Sequence, residues 1–107
     1  MSDLAMKFER QVLDDSKEYT KLTGTSPSRF LQMVAEVGGV ETARVLALSN
    51  HPAEGFTRAW EHKCMNLTVE HTIVYGHDGE FQRLFTDDVV KAARKRLRQY
   101  GINGRLD

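Results

Sequence analysis

From Leu4 the apolar positions fall at Leu4, Phe8, Val12, Tyr19 and Leu22, steps of four, four, seven and three that line one face of a helix. This predicts a first helix from about Asp3 to Leu22. Thr23-Gly24-Thr25-Ser26-Pro27 then breaks the pattern, and Ser26 followed by Pro27 reads as a helix cap with proline at the first helical position. The second helix carries Phe30, Leu31, Met33, Val34 and Val37, apolar over much of its circumference as a helix clamped between others would be, and Gly38-Gly39 is its left-handed stop.

Val40 to Leu48 resumes the helical spacing through Ala43, Leu46 and Ala47 until Ser49-Asn50-His51-Pro52 ends it. Gly55 precedes a short fourth helix, Phe56 to Trp60, whose two aromatics at i, i+4 are expected to stack on one side. Beyond Lys63 the chain turns. Asn66 or Thr68 can cap a fifth helix bearing Leu67, Val69, Ile73 and Val74, although the β-branched density of Thr68 to Val74 also permits a strand. His77-Asp78-Gly79 is a turn, and Phe81, Leu84 and Phe85 suit a single helical turn. Thr86 caps the last helix with Asp87 and Asp88 in its first turn, and Gly101-Ile102 closes it after Tyr100. Residues 103–107 read as a frayed tail. The fold class predicted is therefore all-α, an irregular compact bundle of six or seven short helices in one domain over residues 1–107.

Composition narrows the function. With 107 residues and 40% hydrophobic content the chain fits one core. Fifteen basic side chains balance fifteen acidic ones, which removes the general electrostatic case for a nucleic-acid or anionic-membrane partner and leaves only local charge to argue. One cysteine, Cys64, allows no internal disulfide, and charges at Asp3, Lys7, Glu9 and Arg10 stand where a signal peptide needs an apolar run. A cytoplasmic protein without membrane contact is expected.

Charge is uneven along the chain. Residues 61–88 hold six acids against Lys63 and Arg83, whereas residues 89–107 hold Lys91, Arg94, Lys95, Arg96, Arg98 and Arg105 against Asp107. On a helical wheel Lys91, Arg94, Lys95 and Arg98 share one face, opposite Val89, Val90, Ala93, Leu97 and Tyr100. That stripe could grip phosphates, and it equally suits a helix whose acidic start and basic end complement its dipole.

Candidate chemistry is sparse. His62, Cys64, His71 and His77 lie close in sequence, but only His62-x-Cys64 has ligand-like spacing and a second pair is missing, so no metal is expected. Cys64 reads as a half-buried, unactivated thiol. No nucleophile elbow, phosphate loop or His-Glu-x-x-His helix is present. Neither an enzymatic activity nor a cofactor is expected. Phe30, Met33, Phe56, Trp60 and Met65 are of the types that dominate interfaces, though most should be core.

An ordered set of segments carries a resemblance: Ser28-Arg29-Phe30-Leu31-Gln32-Met33, Gly38-Gly39-Val40-Glu41-Thr42-Ala43, Gly55-Phe56-Thr57-x-x-Trp60-Glu61, Leu67-Thr68-Val69-Glu70, Leu84-Phe85-Thr86-Asp87 and Ala93-Arg94-x-Arg96-Leu97-x-x-Tyr100-Gly101. From about Phe8 to Ile102 the chain resembles a family of small stand-alone bacterial proteins of similar length and uncharacterised function. The resemblance implies a self-contained helical unit and carries no catalytic residue across. Arg29, Gln32, Glu61 and Glu70 are its polar members without an obvious folding duty, open to buried ion pairs or to a binding surface. The chain departs from the family at Ala59, where leucine is usual, and at Lys63-Cys64-Met65-Asn66, where a small charged turn is usual.

The function expected is a protein-protein interaction module, with another protein as partner and a homodimer among the options. Its surface is expected around Trp60, Glu61 and Met65 at the corner after the fourth helix, with Arg29 as a further contact. Small helical proteins of bacteria and phages often act as accessory or inhibitor proteins in genome conflict, and size alone puts that role among the expectations. The alternative is nucleic-acid binding through Lys91, Arg94, Lys95 and Arg98.

Overall fold

The computed structural model describes residues 2–106, among which there are six α-helices and no strand. Helix α1 (Asp3–Thr23) begins where the Ser2 hydroxyl accepts from Ala5 N at 3.1 Å and ends at left-handed Gly24, whose amide returns to Thr20 O. Its buried face carries Phe8, Val12 and Tyr19, as the periodicity predicts, but also Asp15 and Ser16.

Helix α2 (Ser28–Val37) starts later than expected, because Pro27 keeps a non-helical ψ of 69° and itself occupies the cap position without a side-chain hydrogen bond. The expectation of a helix clamped between others is corrected. Only Val34 is buried, Phe30, Leu31 and Met33 are half-covered, and Val37 is exposed, because α2 lies on the outside against α1 and α3. Gly38, at φ 90°, turns the chain directly into α3 (Gly39–Leu48). There Glu9 of α1 accepts from Gly39 N at 2.7 Å and so caps α3 from another helix. A Cβ on Gly39 would stand 2.9 Å from the Glu9 Cα, so the two backbones meet where only glycine fits.

Helix α4 (Glu54–Glu61) ends in a turn built on Lys63, a non-glycine residue at φ 57°. Lys63 N returns to Trp60 O and Cys64 N to Ala59 O, the paired bonds of a Schellman stop. That stop swings Cys64 and Met65 inward, each 3% exposed, into a 3₁₀ turn spanning Met65–Leu67. Helix α5 (Val69–Tyr75) settles the choice between helix and strand: Thr68 is its cap, its Oγ1 accepting from His71 N. Six of its seven residues are buried.

His77, Asp78 and Gly79 follow as three successive left-handed residues inside the 3₁₀ segment Gly76–Leu84. Phe81 and Phe85 then set their rings edge-on to Phe8 at 5.2 and 5.3 Å. Helix α6 (Asp87–Gln99) begins at Thr86, whose hydroxyl bonds the Asp88 carboxylate instead of capping a backbone amide as expected. It closes with Gly101 N on Arg98 O and Ile102 N on Leu97 O, the left-handed glycine stop foreseen from Gly101-Ile102.

Ala93 and Leu97 of α6, Ile73 and Val74 of α5, Ala43 and Ala47 of α3 and Phe8 of α1 form the centre of the core. The segment expected as a tail is non-helical and exposed over residues 103–106, with two contacts to the body: the Leu106 amide donates to His71 Nε2 at 2.9 Å, and Arg105 reaches Asp78 at 3.3 Å. Asp107 lies outside the described residues. No helix among the described residues is long and apolar enough to cross a membrane.

Candidate functional site

Trp60 stands on the last turn of α4 and is 52% exposed. It does not stack on Phe56 as the i, i+4 spacing suggested; both rings instead meet Tyr100 at the end of α6. Phe56 lies edge-on to Tyr100 at 4.9 Å and Trp60 at 5.9 Å. Phe56 is buried and Tyr100 half-buried, so three rings rise from the core to the surface and the outermost is braced from behind. A large apolar side chain fixed in one place and still open to water loses little conformational freedom when a partner covers it.

The other residues expected at this surface divide. Glu61 is exposed beside Trp60 at the end of α4, and Arg29 is exposed in the first turn of α2. Met65 is removed from the surface, because the stop at Lys63 turns its side chain into the core. Cys64 is buried too, more fully than expected, and burial pushes its thiol pKa up, away from a reactive thiolate.

On α6, Lys91, Lys95 and Arg98 are exposed and Arg94 is half-buried, in keeping with one solvated face. None of the four joins an ion pair within 4.0 Å among the described residues. Arg96 belongs elsewhere. It is 8% exposed, donates to Leu46 O at 2.9 Å and to Ser49 O, and lies 3.5 Å from the Glu70 carboxylate. Glu70 is thus placed in a buried ion pair. Burial raises its pKa, with Arg96 pulling the other way. Glu70 also lines an apolar cavity of about 80 Å³ walled by Val12, Phe30, Leu46, Phe56 and Val69.

A second, polar cavity of about 210 Å³ has no counterpart in the sequence reading. Its floor is Asp15 of α1 and Thr72 of α5, and His71, Tyr75 and Arg105 stand around it. Asp15 is 8% exposed; its Oδ1 accepts from Gln11 Nε2 at 2.8 Å, and Thr72 Oγ1 lies 3.1 Å from its Oδ2. Burial pushes the Asp15 carboxyl up to about 6 against the hydrogen bonds from Gln11 and Thr72, and the Asp14 charge adds to the rise. No cation lies within 4.0 Å of it among the described residues. His71, 6% exposed, accepts the Leu106 amide through Nε2 and so holds a neutral ring; burial and the Arg105 charge lower its pKa. A signal for this site was present: Phe8, Val12, Asp15 and Tyr19 repeat at helical spacing, which places a carboxylate on the buried face of α1.

Among the described residues no three His, Cys, Asp or Glu side chains are grouped to hold a metal ion, and His62 and His77 are exposed. Both cavities are smaller than the roughly 300–1,000 Å³ of ordinary small-molecule sites, and suit a side chain or a small ion. Comparison with protein-family models, with curated proteins and with solved structures found no match.

Proposed function

We propose that the protein is a non-enzymatic protein-binding module whose contact surface centres on Trp60. The observation that supports this reading is the ladder Phe56, Tyr100, Trp60, which presents a half-exposed tryptophan on a rigid base. Tryptophan is the residue type most enriched among side chains that carry interface energy, and bracing lowers the entropy lost on docking. Glu61 beside it supplies a polar rim.

The test is capture of partners from nuclease-treated lysate of the native host with the wild-type protein and Trp60→Ala. A protein recovered in stoichiometric amount with the wild type and lost with the variant supports the module, provided the two proteins melt within about 3 °C of each other. Retention by Trp60→Ala contradicts it.

A second reading rests on the four α6 cations free of ion pairs, Lys91, Arg94, Lys95 and Arg98, which suit a phosphate backbone. It requires affinity that falls with salt by about 0.9 log units per neutralised phosphate for each log unit of salt. Capture that disappears with nuclease treatment, in wild type and Trp60→Ala alike, favours this reading.

A further inference from the structure

The polar cavity holds an imbalance. Asp15 is nine-tenths buried with two neutral hydrogen-bonding partners and no cation, although a buried carboxylate is best compensated by a positive charge. The cavity around it is open and polar, and Arg105 and Leu106 of the segment after α6 form part of its wall. That segment shows what the cavity accepts. It is non-helical, it gives a backbone amide to His71 Nε2, and it brings a basic side chain, Arg105, to the cavity wall.

The resident segment is also poorly held. Arg105 is drawn outward to Asp78 at 3.3 Å, where the two side chains are 60% and 89% exposed, so the pair is largely screened. Leu106 is 36% exposed and stands on the cavity wall. Asp15, the one carboxylate lining the cavity, has no cation within 4.0 Å among the described residues, although Arg105 lines the same cavity.

We propose that this cavity is a binding site for a short non-helical peptide segment bearing a basic side chain, and that residues 104–106 are its resident, displaceable occupant. The incoming segment places an amide on His71 Nε2, as Leu106 does now, and its ammonium or guanidinium group on Asp15, which Arg105 does not reach. Thr72 and Gln11 keep the carboxylate oriented. His71 serves only in its neutral form, since a protonated ring has no acceptor at Nε2. Displacement of the resident segment sets the apparent affinity: the intrinsic dissociation constant is divided by the fraction of molecules in which the segment is away. This surface shares no residue with the Trp60 ladder, so either reading can fail without the other.

The experiment is a titration of the isotope-labelled full chain, followed by amide chemical shifts, with acetylated and amidated Asn-Gly-Arg-Leu as the probe and Asn-Gly-Gln-Leu as its control. Leu106→Pro removes the donated amide while leaving Asp15, Thr72, Gln11 and His71 as they are. The expected result is that the arginine probe shifts the His71 and Thr72 amides, binds Leu106→Pro about tenfold more tightly than wild type, and loses about tenfold on Asp15→Asn. Arg105→Gln, which removes the exposed ion pair with Asp78 and one charge from the cavity wall, gives the same direction of change if Leu106→Pro fails to fold. Equal binding to wild type and the opened variant overturns the resident segment as occupant. Equal binding of the arginine and glutamine probes, or no shift of either amide at millimolar probe, overturns the site.

Discussion

Arg96 of α6 lies 3.5 Å from the carboxylate of Glu70 on α5, both side chains buried, and the same guanidinium donates to Leu46 O and Ser49 O at the end of α3. One side chain thus ties three helices and satisfies carbonyls that a helix end leaves open. The two partners are unequal. Burial raises the Glu70 pKa despite Arg96, so the ionised acid gains little from its position, whereas the guanidinium holds three acceptors. Arg96→Met is expected to destabilise the fold by about 3–5 kcal/mol, since it leaves the buried Glu70 carboxylate without its cation and takes a donor from the Leu46 and Ser49 carbonyls. Glu70→Gln is expected to change stability by less than about 1 kcal/mol. Chemical denaturation of both variants checks the asymmetry, and equal losses would contradict it.

Asp15 makes stability depend on pH in a definite sense. Its folded pKa, about 6, stands above the ordinary 3.8, so folding favours the protonated acid. The contribution is fully present below pH 3.8 and is lost as pH rises through 6. Asp15→Asn, which cannot ionise, should therefore match wild type near pH 3.5 and exceed it at pH 7.5 by about 2–3 kcal/mol. Thermal melts of the pair across that range measure the gap. A gap that does not grow between pH 4 and 6 would show that Asp15 is not buried as described.

His71 runs the other way. Its pKa is lowered by burial and by the Arg105 charge, so the neutral ring that accepts the Leu106 amide is favoured above pH 6.5 and is lost as pH falls through the folded pKa. The protection of the Leu106 amide, taken against its intrinsic exchange rate at each pH, should fall on acidification while the core amides of Ile73 and Leu97 stay protected. Loss of all three together would mean general unfolding and no local release.

Lys63 holds a left-handed conformation that glycine adopts at lower cost, and a Cβ there is a penalty the Schellman stop does not require. Lys63→Gly is expected to stabilise the protein by about 0.5–1 kcal/mol, the strain relieved exceeding the added freedom of the unfolded chain. An unchanged or lowered midpoint in denaturant would place the value of Lys63 in its side chain.

The helices themselves were legible because apolar spacing and stop signals are local. Phe8, Val12 and Tyr19 mark α1, and Gly24, Gly38 and Gly101 take the left-handed angles at which their helices end. What lay hidden depends on residues far apart in the chain. Glu9 caps α3 across thirty positions, and Arg96 serves carbonyls forty-seven and fifty positions away. The apolar circumference of α2 could not say what would cover it, and Phe30, Leu31 and Met33 are left half-covered and Val37 exposed.

The candidate surface was half legible. Trp60 and Glu61 are exposed, but Met65 turns inward because a lysine adopts an angle that its type does not advertise. The cavity around Asp15 is signalled only by the spacing of α1, where a carboxylate at a buried position of an amphipathic helix asks for a partner. His71 and Leu106 meet across thirty-five positions, which no spacing rule foresees.

Trp60 is the protein's one tryptophan, which makes the central proposal directly readable from its fluorescence. With the captured partner in hand, the decisive measurement is a titration of that partner, or of a tryptophan-free version of it, while the emission maximum and acrylamide quenching of Trp60 are recorded. Docking over the aromatic ladder predicts a saturable blue shift and loss of quenching at one partner per protein. A stoichiometric complex in which emission and quenching stay as they are in the free protein would contradict the account.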